Sequence, residues 1–210
     1  MVNIAGVSNT AYLNSVHLNI VHYTEIMPPA RHDRGSVVDC ALRLLDEVGL
    51  PDLSMRRLAA ELDVQPSALY WHFANKQELL AAVADRILGA VPEPDAEATF
   101  ELLARAIRDA LLAYRDGAEV VMSTYALRLG ARRAQAALVA SLGGTDENEA
   151  TADAAFEFIL GHAMLLQQRM HAQSVGAVDA DAADPTANAD GVFEAGVRAF
   201  AALNASRRRV

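Results

Sequence analysis

Residues 54–80 read SMRRLAAELDVQPSALYWHFANKQELL, and the helices predicted for the N-terminal part of the chain are arranged around this segment. Ser54 is suited to the N-cap of a short helix, because its hydroxyl can accept a hydrogen bond from a backbone N–H of the first turn. Asp63-Val64-Gln65 interrupts that helix, and Pro66 fits the first turn of the next one, where no backbone N–H is needed. The stretch therefore predicts two short helices joined by a tight turn, the second continuing through Phe73.

Helical spacing of apolar residues continues on both sides of this pair. Residues 33–48 repeat apolar side chains at helical spacing and end at Gly49, which is suited to a C-cap. On the other side, Asn75 and Glu78 resemble a capping box that opens a further helix, which Pro92 ends. The N-terminal part of the chain is therefore predicted as a small group of helices built around the turn.

A larger helical region is predicted after this proline. Further helices are expected over Phe100–Tyr114, up to about Leu142 after a break at Asp116-Gly117, over about Glu147–His171, and around Phe193–Leu203. The helix over 147–171 is apolar on more than one face, so it must be covered from more than one side. Alanine and aspartate dominate residues 174–190, which predicts a mobile loop.

The composition indicates an all-α protein without broad affinity for nucleic acid. Hydrophobic residues make up 52% of the 210 residues, and the regularly spaced Val, Ile and Thr runs of sheet proteins do not occur. The formal net charge of -9 argues against nonspecific coating of nucleic acid, but it does not exclude a small local surface that binds DNA. Cys40 falls at an apolar helical position and is expected to be buried. Because no stretch suits a membrane span or a signal peptide, a cytoplasmic location is expected.

Residues 54–80 resemble the helix-turn-helix of the tetracycline-repressor (TetR) family over their whole length. The resemblance is carried by the capped helix, the tight turn, the signature LYWHF at residues 69–73 and the segment KQELL at residues 76–80. It extends into the second half of the chain, since YRDGA at residues 114–118 and Gly161-His162 are similar to landmarks of the C-terminal domain of tetracycline-responsive members.

This resemblance implies a domain organisation and a function. It implies a partly disordered extension at residues 1–30, a three-helix helix-turn-helix DNA-binding domain at 31–76, and a larger helical ligand-binding and dimerisation domain at 77–206. The expected protein is a homodimeric transcriptional repressor that a hydrophobic, aromatic small molecule releases from a palindromic double-stranded DNA operator. No cofactor is implied, and the sequence lacks the glycine loop or nucleophile motif of an enzyme. Two alternatives stay open: a helical protein-interaction dimer without DNA binding, and an activator of the same family.

The resemblance assigns nine side chains to the DNA interface: Ser54, Arg56, Gln65, Ser67, Ala68, Tyr70, Trp71, His72 and Lys76. Arg56 is suited to bidentate contact with guanine, and the short residues opening the second helix would face base edges or thymine methyl groups. The aromatic and basic residues that follow would contact sugar and phosphate. The alternative for Trp71 and His72 is burial in the core, where Leu69 and Phe73 are expected.

Asp63 departs from the family pattern, which usually has glycine at this point of the turn. The position tends to require a positive φ, and aspartate tolerates that conformation better than most residues. We therefore expect the turn to form and an Asp63→Gly variant to keep its DNA binding.

The C-terminal domain lacks the side chains that hold magnesium-bound tetracycline in the responsive members. By resemblance, Val121 stands for a metal-binding histidine, Leu103 for an asparagine, Ile107 for a pocket phenylalanine and Met170 for a glutamate. Apolar side chains cannot ligate a hard cation, which needs oxygen or imidazole donors. We therefore expect neither a metal site nor a response to tetracycline with magnesium.

These apolar residues instead predict a pocket for a flat, hydrophobic effector. The predicted lining is Leu103, Ile107, Val121, Met122, Tyr125, Phe156 and Met164. For each of them the alternative is a place in the packed core, and His162 is expected in the core or at the dimer interface. An effector bound beside the fourth helix and the Arg115-Asp116-Gly117 break is expected to swing that helix and to move the two reading heads of a dimer out of register.

Overall fold

The computed structural model describes residues 32–94, 98–177, 184 and 186–207, apart from the side chains of 147 and 204–207. These residues form α-helices and a short 3₁₀ turn at Leu88–Ala90, with no β-strand among them, so the all-α prediction is confirmed. The helices are α1 (Arg34–Val48), α2 (Met55–Glu61), α3 (Pro66–Leu69), α4 (Lys76–Ile87), α5 (Phe100–Leu112), α6 (Gly117–Ala126), α7 (Arg132–Ser141), α8 (Asp146–Ser174) and α9 (Ala189–Arg207). The predicted extension at 1–30 lies outside the described residues, as do residues 178–183 and 185 of the loop predicted at 174–190. The two ends of that predicted loop are helical, since α8 runs to Ser174 and α9 begins at Ala189.

Side-chain caps fix the starts of α2 and α4 as the sequence predicts. The Ser54 hydroxyl accepts a hydrogen bond from the backbone N–H of Arg57 at 3.1 Å. At the start of α4, Asn75 Oδ1 accepts from the Glu78 N–H at 2.9 Å, and Glu78 Oε2 accepts from the Ala74 N–H at 3.0 Å. Each cap satisfies backbone donors that have no partner within the helix.

Helix α3 is shorter than predicted, because it ends at Leu69 and does not continue through Phe73. The backbone N–H groups of His72 and Phe73 both donate to the Leu69 carbonyl at 3.0 Å, which turns the chain away from the helix axis. Leu69 and Phe73 are each only 1% exposed, so this turn places both side chains in the core. Burial of two large apolar groups outweighs the regular extension of a four-residue helix.

Helix α8 lies at the centre of the C-terminal helices and packs against α5, α6, α7 and α9. Phe156, Ile159 and Ala163 on this helix are fully buried, which agrees with the prediction that it is covered from several sides. On the α9 side, the Phe158 ring lies 6.0 Å from the Phe193 ring between centroids and 5.8 Å from the Phe200 ring. This aromatic cluster ties the last two helices together.

The approach of α9 to this cluster depends on Gly196. A Cβ atom at this position would lie 2.2 Å from Phe158 Cζ. Because neighbouring rings hold Phe158 in place, we expect Gly196→Ala to lower the free energy of unfolding by about 1–3 kcal/mol, measured by denaturant unfolding.

Gly89→Ala is the control, since a Cβ atom there meets no atom within 4 Å. Its effect on the free energy of unfolding is expected to stay within about 0.5 kcal/mol. Equal losses in the two variants would contradict a special role for the close contact at Gly196.

Candidate nucleic-acid interface and effector cavity

The segment after the turn presents large side chains to solvent. Trp71 is 83% exposed and Tyr70 is 52% exposed, whereas Leu69 and Phe73 beside them are buried. The structure therefore excludes the core alternative for Trp71. Exposed aromatic groups of this size next to a short helix are typical of a contact surface.

Helix α2 adds basic charge to the same helix pair. Arg56 and Arg57 are both exposed, and neither forms an ion pair with any carboxylate in the described part of the chain. Ser54 at the start of this helix is exposed, but its hydroxyl already caps the helix. The two guanidinium groups are thus free to bind phosphate or a guanine edge.

All nine predicted DNA-contacting residues have surface exposure. The exposed ones are Ser54, Arg56, Gln65, Ser67, Tyr70 and Trp71, and the partly exposed ones are Ala68, His72 and Lys76. The turn that orients them has the expected conformation, since φ of Asp63 is 54°. The geometry is that of a helix-turn-helix whose second helix could enter a major groove about 12 Å wide. Their contacts with DNA stay a prediction.

The end of α1 is bonded to the break between α5 and α6. Asp116 Oδ2 accepts a hydrogen bond from the Leu50 N–H at 2.8 Å, and Asp46 Oδ1 accepts from the Arg115 N–H at 3.0 Å. Gly49 permits this approach, since its φ is +81° and a Cβ atom there would lie 2.8 Å from Asp116 Oδ2. The break is therefore a direct contact between the helix-turn-helix region and the C-terminal helices.

Gln167 on α8 holds the other side of the same break. Its Nε2 donates to the carbonyls of Leu111 at 3.1 Å and Tyr114 at 2.8 Å, and its Oε1 accepts from the Ala118 N–H at 3.1 Å. One side chain thus satisfies backbone groups at the end of α5 and at the start of α6. The break is predicted from the sequence but the role of Gln167 is not, since its only signal is a polar residue after the apolar run of residues 163–166.

Helix α4 is bonded to the loop between α6 and α7. Asp85 Oδ1 accepts a hydrogen bond from the Ala131 N–H at 2.8 Å. Gly130, with a φ of +64°, comes so close that a Cβ atom would lie 3.1 Å from the Ala81 carbonyl oxygen. Any displacement of this loop therefore acts on α4, the helix that directly follows the exposed aromatic segment.

The predicted effector lining separates into two groups in the structure. Leu103, Ile107, Val121 and Phe156 are 0% exposed and belong to the closed core, so they do not face an open cavity. Met122, Tyr125 and Met164 are partly buried against that core, and the Tyr125 ring packs edge-on against the Phe156 ring at 5.0 Å between centroids. Close packing of apolar side chains, the alternative to a pocket wall, accounts for the four core residues.

A cavity of about 650 Å³ lies beside two of the predicted residues, Met122 and Tyr125. Its wall also includes Ala126, Arg128, Gly130, Arg132, Gln135, Asp153, Glu157 and Leu160. Burial, together with the nearby carboxylates of Asp153 and Glu157, raises the pKa of Tyr125. Its phenol therefore stays neutral near pH 7 and can donate a hydrogen bond into the cavity.

His162 lies in the α8–α9 packing and not in this cavity. Its ring is 5.1 Å from the Phe193 ring between centroids, and Nε2 has no hydrogen-bond partner within the described chain. Burial, with the nearby positive charge of Arg108, lowers the pKa of His162. The imidazole is therefore neutral at pH 7, as suits a histidine packed among aromatic rings.

The described residues show neither the side-chain cluster of a metal site nor a helix suited to a membrane. Within them, no group of three or more His, Cys, Asp or Glu side chains is placed to hold a metal ion. None of the helices described there combines the length and apolar character that a membrane span requires.

An all-α chain with an N-terminal helix-turn-helix followed by a larger group of helices has the architecture of a DNA-binding protein. Family models match both halves of the chain: "Bacterial regulatory proteins, tetR family" at residues 37–83 and "Tetracyclin repressor-like, C-terminal domain" at residues 89–191. The chain belongs to the TetR family, whose members are DNA-binding transcriptional regulators and not enzymes.

Individual relatives support this assignment. The chain is 47% identical to the class A tetracycline repressor from transposon 1721 of Escherichia coli over 96 residues, which are 42% of this chain and 44% of that repressor. It thus spans less than half the length of this relative. Among solved structures, Mycobacterium smegmatis BioQ is 37% identical with a TM-score of 0.68, covering 81% of this chain and 98% of that one. BioQ with its natural double-stranded DNA operator is 35% identical with a TM-score of 0.66, over 81% and 99%.

The positive φ of Asp63 leads to a test of the turn. Asp63→Gly is expected to leave DNA binding unchanged, because glycine adopts this conformation without strain. Asp63→Val is expected to lower the free energy of unfolding by about 1–3 kcal/mol, because a β-branched residue is strained there. Denaturant unfolding and gel-shift titration measure the two effects, and a non-binding glycine variant would refute this interpretation of the turn.

A second test concerns the hydrogen bonds of Gln167. Gln167→Leu removes the partner of three backbone groups, so the free energy of unfolding is expected to fall by about 2 kcal/mol. Gln168→Leu is the matched control, because Gln168 is exposed. If denaturant unfolding gave the same stability for both variants, Gln167 would not hold the α5–α6 break.

Proposed function

We propose that the protein is a homodimeric transcriptional repressor, cytoplasmic in location, that leaves a palindromic DNA operator when a small apolar molecule binds its C-terminal domain. One observation carries the DNA-binding part of the proposal: Tyr70 and Trp71 stand exposed directly after a helix whose Leu69 is buried. A folded protein rarely exposes neighbouring aromatic side chains unless they contact a partner. The unpaired Arg56 and Arg57 on the preceding helix identify that partner as an anionic one.

Exposed apolar residues on the last two helices support the dimer. Leu165 and Met170 on α8 are 52% and 49% exposed, and Val192 and Leu203 on α9 are 52% and 50% exposed. Pairing of these helices with those of a second copy would remove this surface from water. A twofold dimer would place two reading helices about 34–36 Å apart, one helical turn of DNA, and would thus select a palindrome.

The contacts of α4 support release by a ligand. The cavity beside Met122 and Tyr125 shares its wall with the loop that bonds to Asp85. A molecule that shifts this loop would also shift α4 and the exposed aromatic segment before it. Ligand and operator then bind antagonistically, each lowering the affinity for the other by the same factor.

Binding to the DNA upstream of its own gene tests the proposal. Trp71→Ala is expected to weaken operator binding at least about tenfold, or about 1.4 kcal/mol. Its free energy of unfolding should change by no more than about 0.5 kcal/mol, because the side chain is exposed. Gel-shift titrations at two salt concentrations measure the affinity, which should fall as salt rises.

Arg133→Gln on α7 provides the control for a change of surface charge, since this arginine is exposed and lies outside both the helix-turn-helix and the two helices proposed to form the dimer interface. It should bind the operator as the wild type does. If no fragment of a genomic pool were shifted by the wild-type protein, the alternative of a protein-interaction dimer would replace the repressor. Increased transcription from a bound operator would indicate an activator.

A further inference from the structure

We propose that the effector cavity recognises an aromatic molecule with a single anionic group, such as a carboxylate or sulfonate, and that Arg128 and Arg132 hold this group. The inference rests on the proposed function, because it names the chemistry of that effector. It departs from the purely apolar lining that the sequence predicts.

Charge is distributed unevenly around the cavity. Arg128 and Arg132 stand on the wall formed by the α6–α7 loop and the start of α7, while Asp153 and Glu157 stand on the wall formed by α8. Met122, Tyr125 and Leu160 supply apolar surface between them. The volume of about 650 Å³ falls in the range of about 300–1,000 Å³ that small-molecule sites occupy.

The two arginines are available for a ligand. Neither forms an ion pair with any carboxylate of the described chain, although the next residue, Arg133, pairs with Glu93. Of the two carboxylates at the cavity, that of Asp153 already has a partner, since it accepts a hydrogen bond from the Gln135 side chain. In a chain with a net charge of -9, arginines without a carboxylate partner at a cavity wall favour an external anion.

The carboxylates of the α8 wall limit the ligand to one anionic group. A second anion next to Asp153 and Glu157 would be repelled. A neutral hydrogen-bond donor is favoured at that wall instead. The ligand that fits both walls is therefore an aromatic body with one anion, held by the arginines.

The position of the arginines also explains how such a ligand would act. They flank Ala131, whose N–H bonds to Asp85 on α4 at 2.8 Å. Arg128 and Ala131 both have a φ of 59°, a backbone conformation unfavourable for residues other than glycine. An anion that draws both guanidinium groups together would move this loop directly against α4.

The experiment uses two fluorescent probes that differ in one group. Anilinonaphthalene sulfonate carries an aromatic body and one anion, and phenylnaphthylamine has the same rings without the sulfonate. Binding of each probe to the full chain is measured by fluorescence titration, for the wild type and for Arg128→Gln, Arg132→Gln and Arg133→Gln. The last variant is the matched control, because Arg133 loses the same charge but does not line the cavity.

We expect the sulfonate to bind the wild type more tightly than the neutral probe, and its Kd to rise about tenfold in Arg128→Gln and in Arg132→Gln, the loss typical of a charge-assisted hydrogen bond. Arg133→Gln should leave the Kd within about twofold, and the neutral probe should be insensitive to all three variants. Absence of sulfonate binding, equal binding of both probes, or equal effects of the three variants would overturn the inference.

Operator binding by the protein without probe, measured in parallel, separates this inference from the proposed function. If the wild type binds no operator, the proposed function fails whatever the probes do. If it binds operator while the Kd of the sulfonate probe is unchanged in Arg128→Gln and Arg132→Gln, only the proposed identity of the effector is wrong.

Discussion

Helix α4 is buried between two parts of the molecule, and both are positioned by their contacts with it. The helix packs against α1 on the helix-turn-helix side and against α6 on the other, and Leu79, Val83 and Ile87 are at most 1% exposed. A helix with apolar contacts on both sides cannot move without disturbing one of them, because protein interiors are close-packed. The exposed aromatic segment before α4 and the cavity beside Met122 and Tyr125 are thus connected through the packing of α4.

The features that the sequence predicts well are those set by local interactions. Ser54 and Asn75 cap helices because their side chains reach a backbone N–H three residues ahead, whatever the rest of the chain does. The positive φ of Asp63 likewise follows from the tight turn alone. Burial of Leu69 and Phe73 is predicted from the signature, whereas only the structure decides that Trp71, for which the core was an open alternative, is exposed.

The features that the sequence predicts poorly depend on tertiary packing. Leu103 and Val121 are apolar, and apolarity suits a closed core as well as a pocket wall, so their full burial could not be derived from residue type. The charged cavity wall joins Arg128 to Glu157, which are far apart in the chain and follow no common pattern. The early end of α3 results from Phe73 turning into the core, a long-range effect that local helix propensity does not contain.

For the release by a ligand that is proposed for this protein, the energetics favour rotation of α4 over the loss of a single contact. A ligand must distinguish two states by about 5.5 kcal/mol to reverse a 1:99 population, whereas one hydrogen bond contributes only about 0.5–1.5 kcal/mol. Helix α4 is bonded to the α6–α7 loop through Asp85 and Ala131, and the helix-turn-helix region is bonded to the α5–α6 break through Leu50 and Asp116. A ligand that displaces only the Ala131 loop leaves the Asp116 contact in place, so α4 would turn about the end of α1. In a dimer, α4 of both copies would rotate in this way. A small change in contact energy in each copy would then be enough to change the distance between the two α3 helices.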